Sequence, residues 1–243
     1  MGNRLTVLGS CGAWPESGRA CAGFLVEHNG FRVVLDLGYG AASRLFGYGL
    51  PDAVVVTHEH PDHCADVSAL GRAWHYTVQT DGQPRLPLHC TPGTVERLAA
   101  MEPRPHPTEL FEVHDLGEPA EIGPFRLTAY PLPHHVPNFG VRLTAPGLTV
   151  AYTGDTGPSP VLAELGRDAD LFICEATLRS PSPSPRYLMT AAEAGKCAAE
   201  AGARRLMLTH FWPGTDRAAA AAEAGARFGG EVLVASEDLT IAL

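Results

Sequence analysis

The chain has 243 residues, 45% of them hydrophobic and 19% charged, which predicts a globular protein with a sizeable core and excludes disordered, collagen-like and coiled-coil proteins. Its 18 Lys and Arg against 27 Asp and Glu give a net charge of −9, and Lys196 is the only lysine, so a basic surface for nucleic acid is not expected. No apolar run approaches the roughly 20 residues of a bilayer-spanning helix, and the N-terminus lacks a signal-peptide layout. The six cysteines are scattered and form no C-x-x-C pair, which predicts reduced thiols in the cytoplasm.

Short runs rich in β-branched residues alternate with helical or turn segments along the chain. The predicted strands are residues 5–8, 24–27, 31–36, 53–57, 86–89, 125–130, 140–143, 148–152, 171–174, 205–209, 231–235 and 239–243. The predicted helices are residues 67–78, 92–101, 160–165, 190–201 and 218–227. This order predicts an α/β protein in which helices cover sheets.

Proline and glycine clusters predict the loops. The proline-rich stretches 103–107 and 181–185 argue against a helix or an inner strand and predict surface loops, the second alternatively forming a semi-rigid rim over a site. Residues 9–12, Gly-Ser-Cys-Gly, predict either a tight turn or a loop that faces an anion. Residues 38–40 predict a turn only.

The strongest motif is H-x-H-x-D-H at residues 58–63, which follows the predicted apolar strand 53–57. Alternate residues at a strand end point the same way, so His58 and His60 could bind one metal ion. Asp62 and His63 follow where the chain turns and could bind a second ion nearby. Imidazole nitrogens with an anionic oxygen suit zinc, so this spacing predicts a metal site.

At this motif the sequence resembles the metallo-β-lactamase superfamily, and three later segments resemble its short-form ribonuclease Z-like branch. Residues 134–140 are similar to the H-x-V-P-x-aromatic-G segment of that branch, residues 152–156 to its Y-T-G-D-T strand end, and residues 208–210 to its L-T-H turn. The resemblance covers nearly the whole chain. It implies an αββα sandwich, two mixed sheets flanked by helices, in a single domain over residues 1–243 with the site at one edge of the sheets.

The resemblance also implies two metal-binding groups that share one carboxylate. Carried over residue by residue, the ligands are His58, His60, His134 and Asp155 for one ion and Asp62, His63, His210 and Asp155 for the other. His135 is then spare, and Cys64 is expected to pack beside the site. A water between the ions would be the nucleophile, so no serine or cysteine nucleophile is needed.

Zinc is the metal that this ligand set favours. The flavodiiron relatives carry a glutamate where His60 stands, together with a flavin domain for which the chain leaves no room. We therefore expect two Zn²⁺ ions, with Mn²⁺ or mixed occupancy left open. The histidines without a motif are not expected to be ligands: His28, His75, His89, His106 and His114.

The sequence departs from the branch at its proton donor. A family histidine that gives a proton to the leaving group precedes a helix, and Leu188 stands at that position here. Residues 174–177, Cys-Glu-Ala-Thr, resemble the family's H-E-A-T stretch. Three possibilities follow: Glu175 or His135 supplies the proton, the leaving group needs none, or Glu175 instead holds a ligand histidine. The expected catalytic side chains are Asp62 and Glu175.

The expected substrate is small. In ribonuclease Z the tRNA-binding arm is inserted between the residues that correspond to His134 and Asp155. Only 20 residues separate these two positions here, and two predicted strands fill them, so no such arm fits. Nucleic acid is therefore not expected as a partner. Small members of the branch act on phosphodiesters, cyclic nucleotides among them, which predicts a phosphodiesterase. The alternatives are an acyl-bond hydrolase, as a thioesterase or lactonase, and a non-catalytic metal-binding regulatory protein. No membrane partner is expected, and a homodimer is one expected assembly because dimers are common in the family.

Overall fold

Two seven-stranded sheets dominate the computed structural model, which describes residues 2–82 and 84–243. In chain order the strands are β1 (Arg4–Gly9), β2 (Gly23–His28), β3 (Phe31–Leu37), β4 (Ala53–Val55), β5 (Leu86–Cys90), β6 (Phe111–Asp115), β7 (Ala120–Ile122), β8 (Phe125–Pro131), β9 (Phe139–Ala145), β10 (Leu148–Tyr152), β11 (Leu171–Glu175), β12 (Arg205–Thr209), β13 (Glu231–Val234) and β14 (Thr240–Ala242). The first sheet has the order β14-β1-β2-β3-β4-β5-β6, and the second has the order β13-β12-β11-β10-β9-β8-β7.

Both sheets are mixed. In the first, β3 to β6 pair in parallel, whereas β14, β1, β2 and β3 pair antiparallel. In the second, β10 to β13 pair in parallel, whereas β7 to β10 pair antiparallel. The inner strands read as continuous apolar runs because both faces of each sheet are covered.

The helices lie on the outer faces of the sheets. They are α1 (Ala41–Tyr48), α2 (Pro61–Cys64), α3 (Val67–Thr77), α4 (Pro92–Met101), α5 (Pro107–Leu110), α6 (Val161–Leu165), α7 (Ala191–Ala201) and α8 (Arg217–Gly225). One apolar cluster fills the space between the sheets, and two further clusters pack helices α1, α3 and α4 against the first sheet and helices α6, α7 and α8 against the second. The expected αββα sandwich is therefore confirmed.

Local sequence explains where several helices begin. Thr190 and Glu193 form a capping box before α7, and the Asp216 side chain accepts hydrogen bonds from the backbone N–H groups of Ala218 and Ala219 at the start of α8. Pro92 occupies the first turn of α4, where its missing N–H leaves no bond unmade.

The sequence-based prediction missed β6 and β7 and helices α1, α2 and α5. Strand β6 is an edge strand that pairs only with β5 and carries polar residues, so its apolar pattern is weak. The expectation that the stretch 103–107 forms no helix was wrong at its last residue. Pro107 begins α5, because proline fits a first helical position. The stretch 181–185 is irregular, as predicted.

None of the helices within residues 2–82 and 84–243 has the length and apolar character that a bilayer crossing requires.

Candidate metal centre

All seven sequence-predicted ligand residues lie at one edge of the sandwich, just beyond strand ends. In the first sheet, His58, His60, Asp62 and His63 follow β4. In the second sheet, His134, Asp155 and His210 follow β8, β10 and β12, which run in the same direction. The carboxyl ends of strands that run in the same direction meet at one edge, so residues far apart in the chain come together there. We call these seven residues the His/Asp centre.

The first group of ligand atoms in the centre comes from three imidazoles and one carboxylate. The Nδ1 atom of His60 lies 3.1 Å from Nε2 of His58 and 3.1 Å from Nε2 of His134. The Oδ2 atom of Asp155 lies 3.9 Å from Nε2 of His58 and 3.7 Å from Nε2 of His134. These atoms converge on one small space.

The second group lies on the other side of Asp155. Its Oδ1 atom lies 3.2 Å from Nε2 of His63 and 3.1 Å from Nε2 of His210. The Oδ2 atom of Asp62 lies 3.2 Å from Nε2 of His210 and 3.7 Å from Nε2 of His63. The two oxygens of Asp155 therefore face different groups, and each group has the composition that the sequence predicted.

The spacing of these atoms fits a metal ion. Ligand atoms about 2.0–2.1 Å from a tetrahedral zinc ion lie roughly 3.3 Å from one another. The atom pairs given above are 3.1 to 3.9 Å apart in the first group and 3.1 to 3.7 Å apart in the second, and all ligand atoms of a group lie within 4.8 Å of one another. In addition, Nε2 of His63 and Oδ1 of Asp155 are buried and have no well-aligned hydrogen-bond partner in the described part of the chain. Buried polar atoms of this kind are costly unless something else satisfies them.

Burial of the imidazoles and the charge of nearby carboxylates both favour cation binding at the centre. Burial lowers the pKa of His134 to about 4 and holds the pKa of His58 well below its usual range, which keeps both imidazoles neutral. Burial opposes protonation of His63, but the carboxylates of Asp155, Asp36 and Asp62 outweigh it and raise the pKa of His63 well above its usual range. Three carboxylates around one imidazole make a strongly cation-attracting space.

Asp36 is a functional residue that the sequence-based reasoning missed. It is fully buried near the end of β3, and its Oδ2 atom accepts a hydrogen bond from Nδ1 of His63 at 2.7 Å. The same carboxylate accepts from the backbone and hydroxyl of Thr57 and from the Tyr152 hydroxyl. This fixes the ring so that Nε2 of His63 faces the second group. The available signal was an aspartate directly after the apolar run Val33, Val34 and Leu35.

Glu175 lies near His210 but forms no direct hydrogen bond with it in the described part of the chain. Its two carboxylate oxygens accept from the backbone N–H groups of Thr156, Met189 and Thr177 and from the Thr177 hydroxyl. That hydroxyl lies 2.7 Å from Nδ1 of His210, so Thr177 links the two side chains. Burial raises the pKa of Glu175 to about 8, with the nearby charge of Asp155 adding to the effect.

Leu188 lies between two residues that hold the centre. The Tyr187 carbonyl oxygen accepts a hydrogen bond from Nδ1 of His134 at 3.1 Å, and the Met189 N–H donates to Glu175. The exposed ring of His135 packs at a tilt against Tyr187, with a centroid distance of 4.3 Å. His135 therefore lies at the rim, outside both groups of ligand atoms.

The loop after β1 faces the centre. The Ala13 N–H donates to Oδ2 of Asp62 at 2.6 Å. A Cβ atom on Gly12 would lie 2.6 Å from the ring of His210, so only glycine allows this approach. His210 itself has a φ of 57°, a left-handed conformation that is rare for non-glycine residues and typical of functional sites. Of the two alternatives for residues 9–12, the geometry supports a loop facing the site.

The other candidates lie apart from the two groups. Cys64 is buried, and burial raises the pKa of its thiol to about 12, as expected for a packing residue. The five histidines without a motif are absent from both groups of ligand atoms in the described residues. His89 stacks on His114 at 4.6 Å, between β5 and β6.

Comparison with known proteins yields consistent matches. A model of the beta-lactamase superfamily domain matches residues 47–211. An uncharacterized protein of Mycobacterium leprae is 34% identical over 242 residues, which cover 94% of this chain and 84% of the relative. The probable metallo-hydrolase YhfI of Bacillus subtilis is 31% identical over 214 residues, 86% of each chain, and its crystal structure superposes with a TM-score of 0.89 over 100% of both chains at 28% identity. A ribonuclease Z of Kineococcus radiotolerans is 30% identical over 293 residues, 95% of this chain and 91% of the relative.

Proposed function

Because the chain belongs to the metallo-β-lactamase superfamily and is a metal-dependent hydrolase, we propose that it hydrolyses a small phosphodiester with two divalent cations held by the His/Asp centre. The observation that carries this proposal is the division of Asp155 between the two groups, with one carboxylate oxygen facing each. Two cations held there would stabilise negative charge on the attacking and the leaving oxygen of a phosphodiester.

We propose that His58, His60, His134 and Asp155 hold one cation and that Asp62, His63, His210 and Asp155 hold the other. When bound, the two ions lower the pKa of a water molecule and neutralise negative charge on the attacked group. We propose Zn²⁺ for both, because a set of imidazoles and carboxylates suits zinc, with Mn²⁺ as the competing metal.

The surrounding residues orient these ligands. Asp36 accepts a hydrogen bond from His63, the Tyr187 carbonyl accepts one from His134, and Thr177 contacts His210. Each contact fixes the ring so that its other nitrogen faces the centre. The Ala13 N–H donates a hydrogen bond to the Asp62 oxygen that faces His210. This contact holds the Asp62 carboxylate in its place in the second group.

Glu175 was expected either to donate a proton or to hold a ligand histidine. The contacts of Glu175 favour the second role, because four donors occupy its oxygens and its side chain is fully buried. We propose that it positions His210 through Thr177. His135 is then the remaining side chain at the rim that could donate a proton to a leaving group.

The preference for a small substrate follows from the hairpin between His134 and Asp155. Strands β9 and β10 pair from Tyr152 opposite Val141 to Leu148 opposite Ala145, so the connection between them is a tight turn. The relative from Kineococcus radiotolerans is named a ribonuclease, and RNA linkages are phosphodiesters. We propose that this chain cleaves the same kind of bond in a small molecule. We further propose that it does so in the cytoplasm, since all six cysteines are free thiols.

Metal-loaded protein tested side by side on bis-p-nitrophenyl phosphate, a cyclic nucleotide and an acyl thioester distinguishes the candidates. We expect turnover of both phosphodiesters and little of the thioester. Turnover of the thioester alone would contradict the proposal and support the acyl-bond alternative, which Leu188 favours because a thiolate leaves without a proton donor. Metal binding with no turnover of any substrate would support the regulatory alternative.

A further inference from the structure

A pocket of about 390 Å³ opens beside the His/Asp centre. It is lined by Trp14, Leu178, Arg179, Ser180, Trp212 and Pro213. Its volume lies within the range of about 300–1,000 Å³ that small-molecule sites occupy. Most of its lining is apolar and two of its six residues are tryptophans, and we call it the tryptophan pocket.

Three chain segments connect this pocket to the centre. Trp14 follows Ala13, whose N–H donates to Asp62. Leu178 follows Thr177, which contacts His210, and Trp212 lies two residues beyond His210. At about 3.3–3.6 Å per residue, the pocket walls begin within roughly 7 Å of residues that touch the centre. The pocket therefore includes residues one or two positions away from residues that belong to the second group of ligand atoms or contact it.

The two tryptophans are not part of the core. The exposed fractions are 51% for Trp14 and 41% for Trp212. Exposing an indole ring to water is unfavourable in free energy, and exposed apolar surface in a pocket is typical of ligand-binding sites. A flat indole ring also offers a surface on which a flat ring of a ligand can stack. The third tryptophan, Trp74, packs instead against the outer core of the first sheet, and its indole N–H donates to the Pro84 carbonyl oxygen.

Arg179 adds hydrogen-bond donors to the same pocket. Its Nη2 atom donates to the Gly214 carbonyl oxygen at 3.0 Å, which fixes the guanidinium near Pro213 and Trp212. Arg179 is exposed and forms no ion pair with any residue in the described part of the chain. A guanidinium beside two exposed indole rings suits the nitrogen and oxygen acceptors on the edge of a nucleobase.

We propose that the tryptophan pocket binds the base of a nucleotide-type phosphodiester, stacking it on Trp14 and Trp212 while Arg179 contacts its edge. This inference rests on the proposed phosphodiesterase function and assigns its substrate class.

Binding of a matched ligand pair to the zinc-loaded protein tests the pocket. Adenosine 5′-monophosphate carries a base and ribose 5-phosphate lacks it, and calorimetric titration measures both dissociation constants. We expect adenosine 5′-monophosphate to bind about 10-fold or more tightly, as stacking of one base implies. In a Trp74→Phe variant, whose remaining tryptophans are the two of the pocket, the nucleotide should still quench the fluorescence saturably.

Variants of the pocket complete the test. Trp14→Ala, Trp212→Ala and Arg179→Gln should each weaken binding of the nucleotide and leave that of ribose 5-phosphate unchanged, whereas Trp74→Phe should change neither. Equal affinity for the two ligands, or nucleotide affinity unaffected by both tryptophan substitutions, would overturn the proposal even if phosphodiesters are hydrolysed. Nucleotide binding through both tryptophans without any phosphodiester turnover would support the pocket and overturn the proposed function.

Discussion

At the scale of single residues, Asp155 connects the two groups of ligand atoms. Its backbone carbonyl accepts a hydrogen bond from the Asn138 side chain, and its carboxylate is buried among His58, His63 and His210. Among the described residues, Asp155 is the one carboxylate that belongs to both groups of ligand atoms, whereas Asp62 belongs only to the second.

Asp155→Ala is expected to abolish hydrolysis and to reduce metal content well below the two ions per chain expected of the wild type. Without the shared carboxylate, two cations repel each other across a short distance. Elemental analysis after dialysis against metal-free buffer measures the loss. The control is His135→Ala, which should keep two ions because His135 lies at the rim. If His135→Ala loses metal and His134→Ala does not, the proposed ligand assignment is off by one residue.

Asp36→Asn should weaken metal binding by about 10- to 100-fold, the usual effect of removing a partner that orients a ligand histidine. An amide cannot accept as strongly from Nδ1 of His63, so the ring loses its fixed orientation. Competition with a coloured chelator measures the affinity. Tyr152→Phe is the matched control, because it removes one hydroxyl donor to the same carboxylate and leaves the carboxylate in place. Equal effects of the two substitutions would contradict an orienting role.

Leu188 has no proton to give, so substrates with good leaving groups should react fastest. We expect phosphodiesters with a p-nitrophenyl leaving group to be hydrolysed about 10²–10⁴-fold faster than alkyl phosphodiesters, the usual contribution of a positioned acid. Leu188→His should narrow this gap and Leu188→Ala should not. The measurement is the rate against the pKa of the leaving group in all three proteins. A flat dependence in the wild type that Leu188→His leaves unchanged would show that the missing donor does not matter.

At the scale of elements, strand ends bring the centre together. Strands β3 and β4 in one sheet and β8, β10, β11 and β12 in the other end at the same edge. Asp36 lies near the end of β3, and each of the other strands is followed by a residue that belongs to the centre or orients it. The sheets also meet there directly, since the Phe139 N–H donates to the Thr57 carbonyl oxygen. Small shifts of one sheet against the other would therefore change the distances between ligand atoms.

The tight hairpin of β9 and β10 predicts poor cleavage of precursor tRNA. A long RNA gains much of its affinity from phosphate contacts, and a chain with a net charge of −9 has few cations to offer. We expect a precursor tRNA to be cleaved far more slowly than a cyclic nucleotide at equal concentration. Gel analysis of a labelled precursor, with bis-p-nitrophenyl phosphate as the activity control, makes the comparison. Comparable rates would contradict the small-substrate proposal.

At the scale of the whole molecule, a single core joins the two ends of the chain. Strand β1 pairs with β14, and Leu5 and Ala235 belong to the same apolar cluster between the sheets. That cluster includes side chains from both sheets, so neither sheet keeps a complete core without the other.

We therefore predict that the chain unfolds as one domain, with one cooperative transition. Differential scanning calorimetry should give a calorimetric enthalpy close to the van't Hoff enthalpy for the metal-loaded protein. Circular dichroism at far- and near-ultraviolet wavelengths should report the same midpoint. Two separate transitions would contradict the single-domain prediction.

The sequence by itself determined the class of the fold and the candidate ligands. Apolar runs of strand length separated by amphipathic segments require covered sheets, and H-x-H-x-D-H places four ligand-type side chains within one short segment. His134, Asp155 and His210 were recognisable because each lies in a segment that resembles a motif of the ribonuclease Z-like branch.

Only the tertiary structure decided which contacts complete the site. Asp36 orients His63 across 27 positions of the chain, and Thr177 contacts His210 across 33, so neither relation leaves a local pattern. Strand β6 likewise depends on pairing with β5 rather than on its own residues. Trp14 and Trp212 lie nearly 200 residues apart, and only the meeting of the loops after β1 and β12 brings them into one pocket. Contacts of this kind depend on which strand ends become neighbours, and that depends on the packing of the whole chain.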